Sequence, residues 1–379
     1  MKSSERVSRA ISFGKPDRIP FCGYNGLAPL RSDVLPLPPL TPNSWQPPLD
    51  KSPPHYPHVH RSQIRSGMYK WNAEGWNPKP QKDWYTLPRT EIDEWGVIWN
   101  GSTIKTMGEP LDPALLEWDM LDSYSIPNGK NPDRYATARK LARIVPEKSK
   151  FRMGVMTNFV FEVSHFVRGW DNYLRDLFKY PNELQKLIKK IMQFYYDCAD
   201  QLFAMKAKAI FTTDDWGSQK NILISPAMFD KFYAEPYKAF IKYCHDHGAY
   251  FILHSCGKIN KLIPKFIELG VDALQLDAPH MVGLDEASGF AGKMCFFDGI
   301  DIQKIYPFAG PKEIEEEFKR MAIKIGAKDG GLVAIDYFNA NSALNVPWKT
   351  IKAFEKAVKK YGKYRTDGYL ALLSSQNEQ

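Results

Sequence analysis

Residues 209–217 read AIFTTDDWG and residues 250–257 read YFILHSCG. Each is a short run of apolar and β-branched residues that stops abruptly in polar ones and a glycine, the pattern of a buried strand with a turn at its end. Between them, residues 226–247 carry helix formers over a length that suits a crossover. Strand, crossover helix and strand make a parallel βαβ unit. The same rhythm continues outward. Apolar runs at 273–276, 294–297 and 332–335 alternate with helical stretches at 258–269, 311–326 and 347–361. Upstream, a short run at 151–156 follows helix formers at 133–146. It precedes 182–206, where Leu184, Leu187, Ile188, Ile191, Tyr195 and Cys198 recur at helical spacing. A first strand is expected at 18–21. Regular βα units thus fill about 130–362. A doubly wound sheet would usually carry a glycine-rich phosphate turn after its first strand. No such signature exists here, so the pattern predicts an α/β chain folded as a single (β/α)8 barrel over residues 1–379.

The first third reads differently. Ten prolines fall between Pro29 and Pro57, a density that neither a helix nor a central strand tolerates. His55, His58 and His60 follow, then Trp71, Trp76, Trp84 and Tyr85. Residues 29–90 are expected to form a Pro- and aromatic-rich insertion, either a plain surface excursion or a lid over the barrel mouth. Asp93–Trp99 reads as a short hairpin closing this region.

Each expected strand runs into polar residues at its C-terminal end, the face where barrel active sites sit. Asp214, Asp215 and Trp216 follow one strand, and His254 and Cys256 the next. Asp277 and His280 follow a third, Asp298 and Asp301 a fourth, and Asp336 and Asn339 a fifth. His254 and Cys256 are two apart on an extended segment and so point the same way. Imidazole and thiolate are good zinc ligands, though a buried thiol beside a general-base histidine is the plainer alternative. Adjacent acids repel unless something cationic joins them, which favours Asp214, Asp215 and Asp298 with His254 as catalytic groups. Trp216, Asp277, His280 and Asn339 are candidates for substrate contact. Asp301 suits the cap of a helix expected at 302–306. Glu235 reads as structural, His245 and His247 as solvated or dipole-facing residues at a helix end, and His165 stays unassigned.

The bulk numbers narrow the classes. The chain has 379 residues, 44% hydrophobic and 25% charged, ordinary for a globular protein. Five cysteines in no framework point to free thiols and a cytoplasmic setting. No apolar leader and no long apolar run is evident, so no membrane span is expected. The net charge of +8 is dispersed, without the basic–aromatic runs of a nucleic-acid binder.

The segments RVSRAISFGKPDRIP (6–20), DEWGVIW (93–99), DDWGSQKNILISP (214–226), HSCG (254–257) and GIDIQ (299–303), with Gly270–Asp272 and Gly330-Gly331, carry a family likeness. In that order the chain resembles the uroporphyrinogen-decarboxylase superfamily, and within it the methyltransferase-like branch. The resemblance implies a barrel enzyme that moves a methyl group between a small substrate and a corrinoid protein or thiol carrier. It implies zinc in the barrel mouth and a corrinoid cofactor carried on a partner protein. His254 and Cys256 match the first two zinc positions of the coenzyme M methyltransferases. The third, a later cysteine, has no counterpart in LVAIDYFNANSALNVP. Asp336 is the expected substitute, with Asp214, Asp215 and Cys22 as others. The aromatic-rich insertion hints at a methoxylated aromatic substrate. The Arg-rich motif that gathers carboxylates in true uroporphyrinogen decarboxylases is absent, so decarboxylation is the alternative, followed by a non-catalytic corrinoid- or ligand-binding barrel. A homodimer stays open.

Overall fold

In a computed structural model of the chain, the described residues are 1–23, 32–37, 89–101, 109–156, 158–326, 329–337 and 344–364. Eight parallel strands form a nearly closed barrel. They are β1 (Phe21–Cys22), β2 (Val34–Leu37), β6 (Phe151–Val155), β7 (Ala209–Thr213), β8 (Tyr250–His254), β9 (Ala273–Leu276), β10 (Cys295–Asp298) and β11 (Leu332–Ile335). The order around the barrel is β1-β11-β10-β9-β8-β7-β6-β2, every ladder parallel. The seam between β1 and β2 is bridged at its N-terminal end. Asp33 N–H donates to the Phe21 carbonyl at 2.7 Å, and the Asp33 carboxylate accepts from Phe21 N–H at 3.0 Å.

Strand residues are buried on both faces, as helices outside and side chains inside require. Phe151, Met153, Ala209, Phe211, Ile252, Ala273, Cys295, Phe297, Val333 and Ile335 fill the interior. Val7, Ala10 and Ile11 of α1 (Ser3–Ile11) plug its lower end. The alternate residues, among them Ile210, Leu253, Leu274 and Phe296, face the outer helices. These are α2 (Ala136–Ile144), α3 (Val160–Arg168), α4 (Trp170–Lys179), α5 (Pro181–Ala204), α6 (Pro226–Phe232), α7 (Ala234–Asp246), α8 (Ile263–Leu269), α9 (Pro279–Val282), α10 (Leu284–Ser288), α11 (Pro311–Lys324) and α12 (Trp348–Tyr361).

The barrel and its five downstream strands match the expectation, with several differences. The first strand is Phe21–Cys22 rather than 18–21, and Arg18 makes an isolated bridge to Lys363. The helix expected at 226–247 breaks at Tyr233, because Pro236 cannot coexist with the Phe232 carbonyl in a continuous helix. The one expected at 258–269 begins at Ile263, with Pro264 in its first turn. Residues 302–306 form turns only.

Strand β2, carrying Pro36, lies inside the stretch expected to be an insertion. Among the described residues its only ladder is to β6, so it behaves as an edge, where a missing N–H is tolerated. The rest of 29–90, with Trp71, Trp76, Trp84 and Tyr85, lies outside the described residues, as do His55, His58 and His60. The hairpin expected at Asp93–Trp99 is longer: residues 93–97 are its turn, between β3 (Arg89–Ile92) and β4 (Ile98–Gly101) of a small antiparallel sheet completed by β5 (Glu109–Asp112). Asp93 holds the turn by accepting from Trp95 N, Val97 N and Trp99 Nε1 at 2.8–2.9 Å. No described helix is long and apolar enough to cross a membrane.

Candidate active site

Strand register sets the top inward layer of the barrel. Thr213 pairs with His254, and His254 with Gln275. The His254 ring is oriented from behind: its Nδ1 lies 2.5 Å from Gln275 Oε1, and Gln275 Nε2 donates to Asp277 Oδ1 at 2.9 Å. An amide oxygen only accepts, so Nδ1 carries the proton. Nε2 then faces Cys256 Sγ at 3.3 Å and Asp215 Oδ1 at 3.3 Å.

One ligand atom from each of Asp215, His254 and Cys256 lies within 4.8 Å of the others. Nitrogen, sulfur and carboxylate oxygen form a donor set that suits zinc. The Asp215 side chain is about a third exposed, so the cluster opens to the mouth. Burial pushes the Asp215 carboxyl up, but His254 and the Cys256 N–H outweigh it and hold the group below its ordinary value. Burial opposes charge on His254, yet the Cys256 sulfur, Asp277 and the hydrogen bond to Asp215 raise it well above the usual imidazole range. Burial and Asp215 push the Cys256 thiol up to about 12.

The two motifs DDWG and HSCG form one unit. Cys256 N–H donates to Asp215 Oδ1 at 2.8 Å, Trp216 N–H to Ser255 Oγ at 3.0 Å, and Lys258 N–H to the Ser218 carbonyl at 2.9 Å. Gly217 and Gly257 lie backbone to backbone at this crossing. A Cβ on Gly257, whose φ is +86°, would come within 2.2 Å of the Gly217 carbonyl carbon. Both glycines are required for the segments to touch.

The other expected residues divide. Asp214 is fully buried and accepts from Phe161 N, Glu162 N and Tyr237 Oη, so it secures the first turn of α3. Burial pushes its carboxyl up to about 7 despite these donors. Trp216 is fully buried, stacked on Phe161 at 4.0 Å, with its Nε1 on Tyr237. Asp298 is fully buried at the end of β10, accepting from Leu276 N, and burial raises it well above the carboxylate range. Asp277 reaches the cluster through Gln275. His280 turns outward, its Nε2 2.6 Å from Glu317 on α11. Asp336 stands apart from the three-residue group and accepts from Tyr306 Oη at 2.7 Å. Asp301 caps its own turn, accepting from Gln303 and Lys304 N–H. Asn339 lies outside the described residues.

Two nearby residues were missing from the sequence reading. Gln275 orients His254. Glu162, buried on α3, accepts from Thr213 Oγ1 at 3.1 Å; burial first, then Asp215 and Asp214, raise its carboxyl well above the usual range. Each is the lone polar residue in an apolar run, ALQL and FVFEV, and that was the available signal.

The family model for Uroporphyrinogen decarboxylase (URO-D) matches residues 109–361. A methyltransferase from Methanosarcina mazei is similar in structure, with a TM-score of 0.59 and 14% identity over 95% of this chain and 99% of its own. At that identity the likeness speaks for the fold alone. A B12-independent methionine synthase from a Shewanella species, in complex with selenomethionine, aligns over 78% of this chain and 76% of its own at 8% identity. Its TM-score of 0.37 is too low to carry an argument. No curated protein matches the sequence.

Proposed function

This chain belongs to the uroporphyrinogen decarboxylase (URO-D) family, and from that premise we propose that it is a methyltransferase exchanging a methyl group between a small substrate and a corrinoid. The observation that carries the reading is the Asp215–His254–Cys256 cluster at the barrel mouth. Those three residues would hold zinc. A bound zinc supplies Lewis acidity to the heteroatom that gains or loses the methyl group. Gln275 fixes the His254 ring so that Nε2 faces the cluster. Asp214 anchors α3 beside it, and that helix carries Glu162, whose carboxyl is pushed up by burial, Asp215 and Asp214. The substrate favoured here is a methoxylated aromatic, and the acceptor a corrinoid on a partner protein.

The test is direct. Purified, zinc-loaded protein is mixed with free cob(I)alamin and a panel of methyl ethers, thioethers and methylamines, and methylcobalamin is followed by absorbance. Formation with one class, lost in Cys256→Ser and Asp215→Asn, is the expected outcome. Release of carbon dioxide from a carboxylated substrate, without methylcobalamin, would favour the decarboxylase reading.

A further inference from the structure

One turn beyond Glu162, α3 places His165 on the same helix face, three residues on. Its ring sits among aromatic rings, with centroids 4.9 Å from Phe161, 4.4 Å from Phe166, 5.0 Å from Trp170 and 6.0 Å from Tyr173. Phe161 and Tyr173 are fully buried and form the floor, whereas His165 and Phe166 are half-buried and Trp170 is exposed. No hydrogen bond engages either ring nitrogen of His165 among the described residues. The first turn of α3 is pinned to the strand end that carries Asp215, through Phe161 and Glu162 N–H on Asp214. Burial lowers the imidazole to about 3, so it is neutral, and Asp215 is the charge acting on it. His165 is half-buried among aromatic rings, and neither ring nitrogen is sealed from solvent, so both can meet a ligand.

We propose that His165, with Phe166 and Trp170, forms a shelf beside the Asp215–His254–Cys256 cluster that takes the ring of a planar, uncharged aromatic substrate. The ring lies against aromatic edges and faces, while a neutral imidazole nitrogen accepts from, or donates to, a ring substituent. This deepens the methyltransferase reading and rests on it for the word substrate.

The experiment measures binding and turnover separately. 2-Methoxyphenol is titrated calorimetrically into zinc-loaded wild type, His165→Ala, Trp170→Ala and Trp348→Ala, with methoxycyclohexane as the non-planar comparison. Trp348 is a half-exposed residue on α12 and serves as a control. The expected result is that 2-methoxyphenol binds at least about tenfold more tightly than methoxycyclohexane. His165→Ala and Trp170→Ala each lose about tenfold, while zinc content and circular dichroism stay unchanged and Trp348→Ala binds as wild type. His165→Asn, which keeps a donor and an acceptor, covers the case in which His165→Ala fails to fold. Equal affinity for the two probes, no binding by wild type, or unchanged affinity in folded His165 variants would overturn the shelf. Binding with no methylcobalamin formed from any donor would sink the methyltransferase reading and leave the shelf standing.

Discussion

At the scale of single residues, the cluster depends on side chains that do not touch a metal as much as on those that would. Gln275 holds His254 Nδ1, so Gln275→Leu should leave the ligands in place but free the ring to turn. Zinc affinity is expected to fall about 10- to 100-fold, read by competition with a chromophoric chelator. Unchanged affinity would mean that the strand backbone alone orients His254. Asp214 is a different matter. Its carboxylate serves three donors in a dry setting, so Asp214→Ala should cost about 3 kcal/mol of stability, measured by urea unfolding. A folded variant of wild-type stability would show that α3 has other anchors. His254 and Cys256 were legible in the sequence because a period of two is enough to aim them together. Gln275 and Glu162 were not. A lone polar residue in an apolar run flags each of them, but their roles come from the β8–β9 register and from where α3 meets β7.

At the scale of elements, the site is the crossing of two loops. Gly257→Ala should force the DDWG and HSCG segments apart and lower zinc retention together with stability. Elemental analysis of the gel-filtered variant reads this, and full zinc occupancy would contradict it. The turn from α7 into β8 and β9 carries a pH-dependent link. His245 Nε2 meets Asp272 at 2.8 Å, and that hydrogen bond raises the imidazole above 6.5. A raised folded value means that the stabilisation is full below 6.5 and is lost as pH rises through the folded value. The stability gap between wild type and His245→Gln should therefore shrink from pH 6 toward pH 9. The pair is half exposed, so the gap is under about 1 kcal/mol even at its largest. A gap that grew with pH would refute the pairing. Strand–helix alternation made most elements legible. Strand β2 was hidden because Pro36 argues against a central strand, and only its place at the seam reconciles the two.

At the scale of the whole molecule, the segment RVSRAISFGKPDRIP closes the barrel rather than serving the chemistry. Arg6 pairs with Asp17 at 2.6 Å and with Asp33 at 2.8 Å, and Arg18 reaches Asp33 at 2.9 Å, at the N-terminal end of the β1–β2 seam. Arg6→Ala leaves the buried Asp33 short of a partner and should cost about 3 kcal/mol. The kcat of whatever remains folded should be unchanged, because the mouth is at the opposite end. A fall in kcat with full stability would reverse that assignment. What the barrel accomplishes is to bring Asp215 from the end of β7 beside His254 and Cys256 from the end of β8. X-ray absorption at the zinc edge of the gel-filtered, zinc-loaded protein tests that outcome most directly. The account predicts stoichiometric zinc with one sulfur at about 2.3 Å and lighter nitrogen and oxygen neighbours at about 2.0–2.2 Å. A shell without sulfur, or protein that retains no zinc, would contradict it.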